Sequence, residues 1–524
     1  MGFRCANCGG NILFDVDSQS MKCQHCGSMV SPDEFVVKSK SQGEDISEMD
    51  MTLFTCSGCG AELQGTEDSQ VGFCPYCGGQ SLLQKPGGGR SMPERLIPFQ
   101  VSKDHCADLF KKHTQKVLYL PRELKNAAHL RSFTGIYMPY YEYDVQLGRS
   151  NITGKKTVES TSSYETINTY QIDASVAGDY CGVPYDASKY YDDEIAARCL
   201  PFDMKKERSF NAAYLSGFYA DASTVPAETY YRDAERTASS DIVDEVSARV
   251  YQQSGIKVEK EKSSVEAHTR GHHATMFPLW FLTWRKDERV AYAVVNGESG
   301  KVVSDLPVDM KAFSSGCAAM AVVIFLLLEI FVQPTPVLTS LVSILAAAMM
   351  AASIRSSTRR IFEKETHVYD KGWSGSKEPV ITEADQNAKK VKKVKKFLDI
   401  EGYPLMAFAI IAVTAIVQLA DIKSVTGVIG VAALFYVLLT VIKILGWQKS
   451  LPQKQPLLAI FPVLAAVALN AAIVIISPVN DFWYYLGDAA CILILTVSSV
   501  FMLQVYNIGT TRPLPHLFDR EEVQ

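Results

Sequence analysis

The chain has 524 residues, a formal net charge of −5 and 13 cysteines. That length allows roughly three or four domains, and a charge this close to neutral excludes a protein that is basic throughout. The averages hide a split: residues 1–310 read as soluble, whereas 311–510 are dominated by apolar runs, so a wholly soluble protein is excluded as well.

The N-terminal cysteines come first. Met1-Gly2-Phe3-Arg4-Cys5 leads into them without the apolar core of a signal peptide. Cys5-x2-Cys8 is followed after 14 residues by Cys23-x2-Cys26, and Cys56-x2-Cys59 after 14 residues by Cys74-x2-Cys77. The second set is the first displaced by 51 positions without a gap, and Phe3/Phe54, Gly9/Gly60, Asp17/Asp68, Gln19/Gln70 and Gly27/Gly78 repeat with it. Each pair is followed by Gly, which adopts the positive φ of a tight knuckle at little cost. Four thiolates close a tetrahedral zinc site with no open position, so two structural Zn2+ ions are expected. A module of about 25 residues is too small to fold on an apolar core, so the metal would supply most of its stability. Redox-active Cys-x-x-Cys is the competing reading, but four copies at matched spacing argue against it. His25 lies inside a knuckle that already has its four sulfurs. An odd cysteine total with the pairs clustered suits metal in a reducing compartment better than a disulfide framework.

Zinc ribbons often bind nucleic acid. Residues 1–90, however, carry six Lys/Arg against eleven Asp/Glu, and phosphate binding needs clustered cations, so a protein-binding or spacer role is favoured. Ser39–Asp50 reads as an acidic linker and Lys85–Ser91 as a Gly-rich one.

Residues 93–310 alternate helical and strand patterns. Lys103–Val117 has helical spacing, and Gly135–Val145, Ile152–Val158 and Tyr164–Val176 read as strands. Glu207–Asp221 and Ala227–Gln252 read as helices, the second opened by Pro226. A three-strand meander follows over Phe277–Arg285, Arg289–Asn296 and Lys301–Val308. Ile136-Tyr-Met-Pro-Tyr-Tyr and Thr275-Met-Phe-Pro-Leu-Trp resemble each other, as a duplicated strand would, or as coincidence in β-rich sequence would. His268, His272 and His273 sit close together and lack an evident further ligand. Asn296-Gly-Glu-Ser-Gly-Lys-Val has the wrong spacing for a phosphate-binding loop, and no Gly-x-Ser-x-Gly elbow appears, so no enzymatic activity is expected.

Six apolar runs then follow: Ser315–Val332, Val337–Ile354, Tyr403–Ala420, Val425–Leu445, Pro456–Ile476 and Phe482–Val505. An 18-residue helix is about 27 Å long, close to the ~30 Å hydrocarbon core of a bilayer. The loop 355–402 carries twelve Lys/Arg and the opposite loops almost none, which places both termini in the cytoplasm of a multi-pass plasma-membrane protein. Lys389, Lys390, Lys392, Lys393, Lys395 and Lys396 flank apolar positions, the pattern of a basic helix lying on anionic inner-leaflet lipids or of a solvated charge run. Glu329 and Asp488 are acids within spans; a transporter would turn such groups toward its pathway, and both read as interfacial.

The expected fold class is multidomain: two four-cysteine zinc ribbons of small β type, a cytoplasmic α+β domain with antiparallel strands, and an all-α six-helix transmembrane region. The boundaries are ribbon 1 at 1–30, acidic linker at 31–51, ribbon 2 at 52–83, Gly-rich linker at 84–92, α+β domain at 93–310, spans at 311–510 and cytoplasmic tail at 511–524.

Leu96-Ile-Pro-Phe-Gln-Val, Gly135-Ile-Tyr-Met-Pro-Tyr-Tyr, Leu200-Pro-Phe-Asp, Tyr214-Leu-Ser-Gly-Phe, Phe277-Pro-Leu-Trp and Val295–Val303, together with the ribbons, resemble the bacterial TFIIB-type zinc ribbon-containing proteins. The resemblance covers about residues 1–310 and, loosely, the apolar runs. It implies zinc at Cys5, Cys8, Cys23, Cys26, Cys56, Cys59, Cys74 and Cys77, and an association with membrane-stress modules; it implies little about activity. Some relatives carry a primosomal-helicase label, which does not transfer to a chain without a phosphate-binding loop. The functional expectation is an adaptor or scaffold that recruits an unidentified protein partner to the membrane. The alternative is a transporter or channel with a regulatory ribbon domain, and the third choice a membrane-tethered nucleic-acid-binding regulator.

Overall fold

The computed structural model describes residues 3–41, 52–65, 73–79, 82–85, 93–121, 124, 132–160, 165–172, 178–286, 288–331, 336–375, 425–476, 479–480 and 482–515. Among these the strands are built around two cysteine modules and one large mixed sheet.

In the first module β1 (Ile12–Asp15) and β2 (Ser20–Cys23) form a hairpin, and β3 (Met29–Val30) pairs with β2. The Asp15 carboxylate accepts from the Ser18 amide at 3.1 Å and holds the turn. Helix α1 (Pro32–Ser41) follows, its first turn capped by the Ser31 hydroxyl, which accepts from Glu34 N at 3.2 Å. Phe35 is buried edge-on against Phe3, ring centroids 5.6 Å apart. The stretch expected as an acidic linker therefore opens with a packed helix. In the second module β4 (Thr52–Cys56) pairs with both β5 (Glu62–Gly65) and β6 (Leu82–Lys85).

The domain begins with β7 (Arg95–Leu96) and α2 (Lys103–Gln115). Strand β8 (Thr134–Ser160) runs for 27 residues where the sequence suggested two strands, and β9 (Glu165–Ile172) returns along its outer half. Gly154 lets the long strand continue: a Cβ there would lie 2.4 Å from Ile256 Cγ2. Next come β10 (Gly178–Asp186), α3 (Asp193–Cys199), β11 (Arg208–Ser209) and β12 (Tyr219–Ala220). The helix expected over Glu207–Asp221 is absent. Ala212, Ala213, Tyr214, Leu215, Phe218, Tyr219 and Ala220 are all buried, so the segment has no polar face to give water, and it breaks at Gly217 with φ +89°. Helix α4 (Tyr231–Ser254), β13 (Lys257–Val258), β14 (Ser264–Lys286), β15 (Arg289–Asn296) and β16 (Val302–Ser304) complete the domain.

The sheet has an internal pseudo-two-fold. Strands β8 and β14 pair antiparallel, Pro139 opposite Met276 and Tyr137 opposite Pro278. β7 lies parallel to β14 at Thr275 and Met276; β12 lies parallel to β8 at Ile136 and Tyr137, the same positions of the repeated motif. The loop bonds repeat as well. The Gln100 and Val101 amides donate to Gly297 O at 2.8 and 2.9 Å, and those of Thr224 and Val225 to Ala187 O at 2.8 and 3.0 Å. The two resembling stretches are thus equivalent strands of a duplicated unit, each beginning with a short strand laid on the other unit.

Helices α5 (Met310–Phe331), α6 (Pro336–Thr366), α7 (Lys371–Gly375), α8 (Val425–Gln448), α9 (Gln455–Ile476) and α10 (Phe482–Gly509) follow. Among the described residues two segments, Gln455–Ile473 and Ala489–Gly509, are long and apolar enough to cross a membrane, rather than six. Tyr403–Ala420 and the lysines 389, 390, 392, 393, 395 and 396 lie outside the described residues. Helix α6 outruns its apolar segment by a dozen residues, half of them Arg, Lys or Glu, braced by an Arg359–Glu363 pair at 2.6 Å. After α10 the chain returns to the domain: β17 (Arg512–Pro513) pairs antiparallel with β15.

Candidate metal centres

All four knuckles have one geometry. The amide after each second cysteine turns back to the first: Gly9, Gly27, Gly60 and Gly78 donate to Cys5, Cys23, Cys56 and Cys74 O at 2.8, 3.1, 2.8 and 2.8 Å. Those glycines have φ between +70 and +78°, as the tight turn requires.

The knuckles bring their sulfurs together in two groups, Cys5/Cys8/Cys23/Cys26 and Cys56/Cys59/Cys74/Cys77, with ligand atoms within 4.8 Å of one another in each. Cys5–Cys26 and Cys8–Cys23 stand 3.7 and 3.5 Å apart; Cys56–Cys77 and Cys59–Cys74 stand 3.5 and 3.7 Å apart. A tetrahedron with metal–sulfur bonds of ~2.3 Å has edges of about 3.8 Å, so both groups are already near the size a zinc ion needs. Each group can hold a metal ion through four thiolates and leaves no place for a substrate, which fits a structural ion.

The two sites differ in their surroundings. In the first, Cys8 and Cys26 are exposed. The Ser28 hydroxyl lies 3.2 Å from Cys5 Sγ and 3.0 Å from Cys26 Sγ, and it holds the Cys5 thiol down to about 6 and Cys26 below its ordinary value. In the second, all four sulfurs are fully buried. Its strand β5 pairs with β12, which joins the module to the domain sheet. Tyr76, inside the last knuckle, donates its phenol to Asp221, which also accepts from Ser188 at 2.5 Å. Burial, with the Asp221 charge beside it, pushes the Tyr76 phenol well up, so it stays a donor. The Tyr292 phenol donates to Tyr76 O at 2.6 Å. Tyr76, Asp221 and Ser188 were not singled out in the sequence. Their pairing spans 145 and 33 positions, and the available signal was an aromatic residue inside a metal knuckle.

The histidines do not join either centre. His25 is exposed beside the first. His273 pairs with Glu94 at 2.7 Å and Asp144 at 3.4 Å, while His272 meets the Tyr231 hydroxyl at 3.4 Å. Among the described residues no further cysteine, histidine or carboxylate group of this kind occurs. Glu329 lies on α5 and Asp488 on α10; their side chains are outside the described set.

The domain and the helices meet at a polar joint. Lys364 Nζ bonds Asp305 at 2.7 Å and Gly509 O at 2.8 Å, Arg289 pairs with Glu365, and Arg512 meets Asp192 at 2.5 Å. Burial alone would raise the Asp192 carboxyl, but the Arg512 guanidinium keeps it below its ordinary value. Asn507 donates to Val308 O at 2.9 Å and accepts from Val308 N at 2.8 Å.

Fold and sites together define a class: a protein with two four-sulfur modules packed on a duplicated mixed-sheet domain, followed by apolar helices. No family model and no solved structure matches the chain. It is similar to "Uncharacterized protein YdjG" of Bacillus subtilis (strain 168), at 25% identity over 329 residues, 61% of this chain and 94% of that protein.

Proposed function

We propose that this is a multi-pass membrane protein whose two structural Zn2+ ions brace a cytoplasmic adaptor, which recruits a protein partner to the inner face of the membrane. The reading keeps the six-span topology and both cytoplasmic termini, and it includes the likeness to the TFIIB-type zinc ribbon proteins. It is supported by the near-tetrahedral sulfur groups. It is supported too by the helix ends at Lys364 and Gly509, which meet the domain on the same side as the returning strand β17. The lysine-rich stretch through Lys389–Lys396 would rest that side on anionic lipid.

The observation that carries recruitment is β9. It is bonded to β8 alone among the described strands, its residues 165–169 are exposed, and Glu165 is its one charge. Sheet edges are usually shielded by charges, bulges or brevity; beyond Glu165 and the register shift next to it, Ile167–Ile172 pair regularly with β8 and carry no charge, which suits the addition of an extended peptide. The test is co-purification from membranes after cross-linking, comparing the native chain with Ile167→Lys/Thr169→Lys. A partner retained by the native chain and lost from the variant supports the reading. An identical set from both, or none from either, refutes it.

A further inference from the structure

A cavity lies away from the metal centres, between β10, α3, the start of α4 and α7, with a volume of about 420 Å3. That is within the range of small-molecule sites. Tyrosines form part of its walls: Tyr185 and Tyr230 stack at 5.0 Å with an interplanar angle of 13°, and Tyr140 lines the cavity from β8. Two cross-strand neighbours on the floor, Asp186 and Tyr140, are 2% and 1% exposed. Neither Asp186 Oδ2 nor the Tyr140 hydroxyl has a hydrogen-bond partner among the described residues. Buried polar groups are nearly always paired, so two orphans side by side in one cavity mark a place where a ligand group belongs.

The neighbouring charges set the sign of that ligand. Asp193 is already used: it accepts from the Tyr230 hydroxyl at 2.7 Å and from Lys371 N at 2.9 Å. Asp233 is paired with Lys371 Nζ, which spends the one cation lining the cavity among the described residues. Asp186 is left as an acid with acids around it. We propose that this cavity binds a small organic amine with an apolar or aromatic body, its ammonium on Asp186 and the Tyr140 hydroxyl and its body between the tyrosine rings. Ammonium over tyrosine faces adds cation–π attraction in a desolvated site. Without such a guest, burial and the nearby Asp193 and Asp370 push the Asp186 carboxyl well up, so the acid is kept neutral. Lys371 and Tyr369 bring the rim from the segment directly after α6, so the site is closed on one side by chain leaving the helical region.

The test uses the full chain in detergent, titrated calorimetrically with phenethylamine, choline and putrescine, and with 2-phenylethanol and phenylacetate as neutral and anionic counterparts. At least one amine is expected to bind saturably at one site per chain, with the alcohol and the acid at least tenfold weaker. Asp186→Asn, which matches Asn296 at the equivalent strand position, should fold normally and lose at least tenfold in amine affinity. Ala197→Trp, placed at the exposed rim, should block binding without touching the acid. No saturable binding of any of the three amines overturns the proposal. So does binding of alcohol and amine alike, or amine binding unchanged in both variants.

Discussion

Tyr76 donates its phenol to Asp221, a residue 145 positions further along the chain, and so ties the last knuckle of the second cysteine module to the end of β12. Asp221 has other partners, the Ser188 hydroxyl and the Ala222 amide. Tyr76→Phe removes one hydrogen bond to a charged acceptor and leaves the acid satisfied. It is expected to cost about 1.5–3 kcal/mol, read as a lowered denaturation midpoint, with the metal content unchanged. A loss of metal in this variant would mean that the tyrosine holds the knuckle itself rather than its seat.

The contrast in burial between the two sulfur groups gives a second expectation. Elemental analysis of the purified chain should find two zinc ions. Cys8→Ser should lose one and reduce the protease resistance of the domain only in part, because that site is half in solvent although Ile12 and Phe14 pack against Tyr214 and Leu215. Cys77→Ser should lose one and also expose the domain to cleavage, because β5 and Tyr76 are built into the sheet. For the same reason a thiol-reactive mercurial should release the first ion well before the second.

Arg512 and Asp192 form a pair in which both side chains are largely shielded, with 10% and 19% exposed. Arg512→Ala removes the cation and leaves Asp192 with only the Glu194 and Ile195 amides as donors among the described residues, so it is expected to cost about 3 kcal/mol. Asp192→Asn in the same chain should recover part of that loss, and the double-mutant cycle measures the coupling. Additive effects of the two substitutions would show that they do not act through each other.

Glu142 is buried on β8, and burial, with the Glu207 charge nearby, raises its carboxyl from 4.5 to about 7. Between those values the folded state binds a proton that the unfolded state has released, so stability from this group falls as pH rises from 4.5 through 7. Glu142→Gln removes the titration. At pH 8 it should be more stable than the native chain by up to about 3 kcal/mol, and below pH 4.5 the difference should vanish. Parallel stability curves for the two proteins across this range would contradict the assignment.

The sequence carried the parts that depend on near neighbours. Cys5–Cys26 and Cys56–Cys77 were legible because the ligands, the two-residue spacing and the following Gly act within a few positions. The helix at Lys103–Gln115 and the meander from Phe277 were legible from period alone. Glu207–Asp221 was misread as a helix: its apolar run from Ala212 is buried on every side rather than along one stripe, which the sequence does not distinguish. Long strand β8 was read as two because the apolar pattern lapses over 146–151, where Gly148 lies against the Glu266 side chain of the neighbouring strand. Tyr76–Asp221 and Arg512–Asp192 join residues far apart in the chain, and one side of such a pair looks like any surface polar group.

The crossed placement of β7 and β12 has a bearing on descent. A single copy of the repeated unit, standing alone, would have had its opening strand with nothing of its own to lie against. Two identical copies of such a unit would reach the same ladder of bonds by trading those strands, as the two halves of this chain do within one polypeptide.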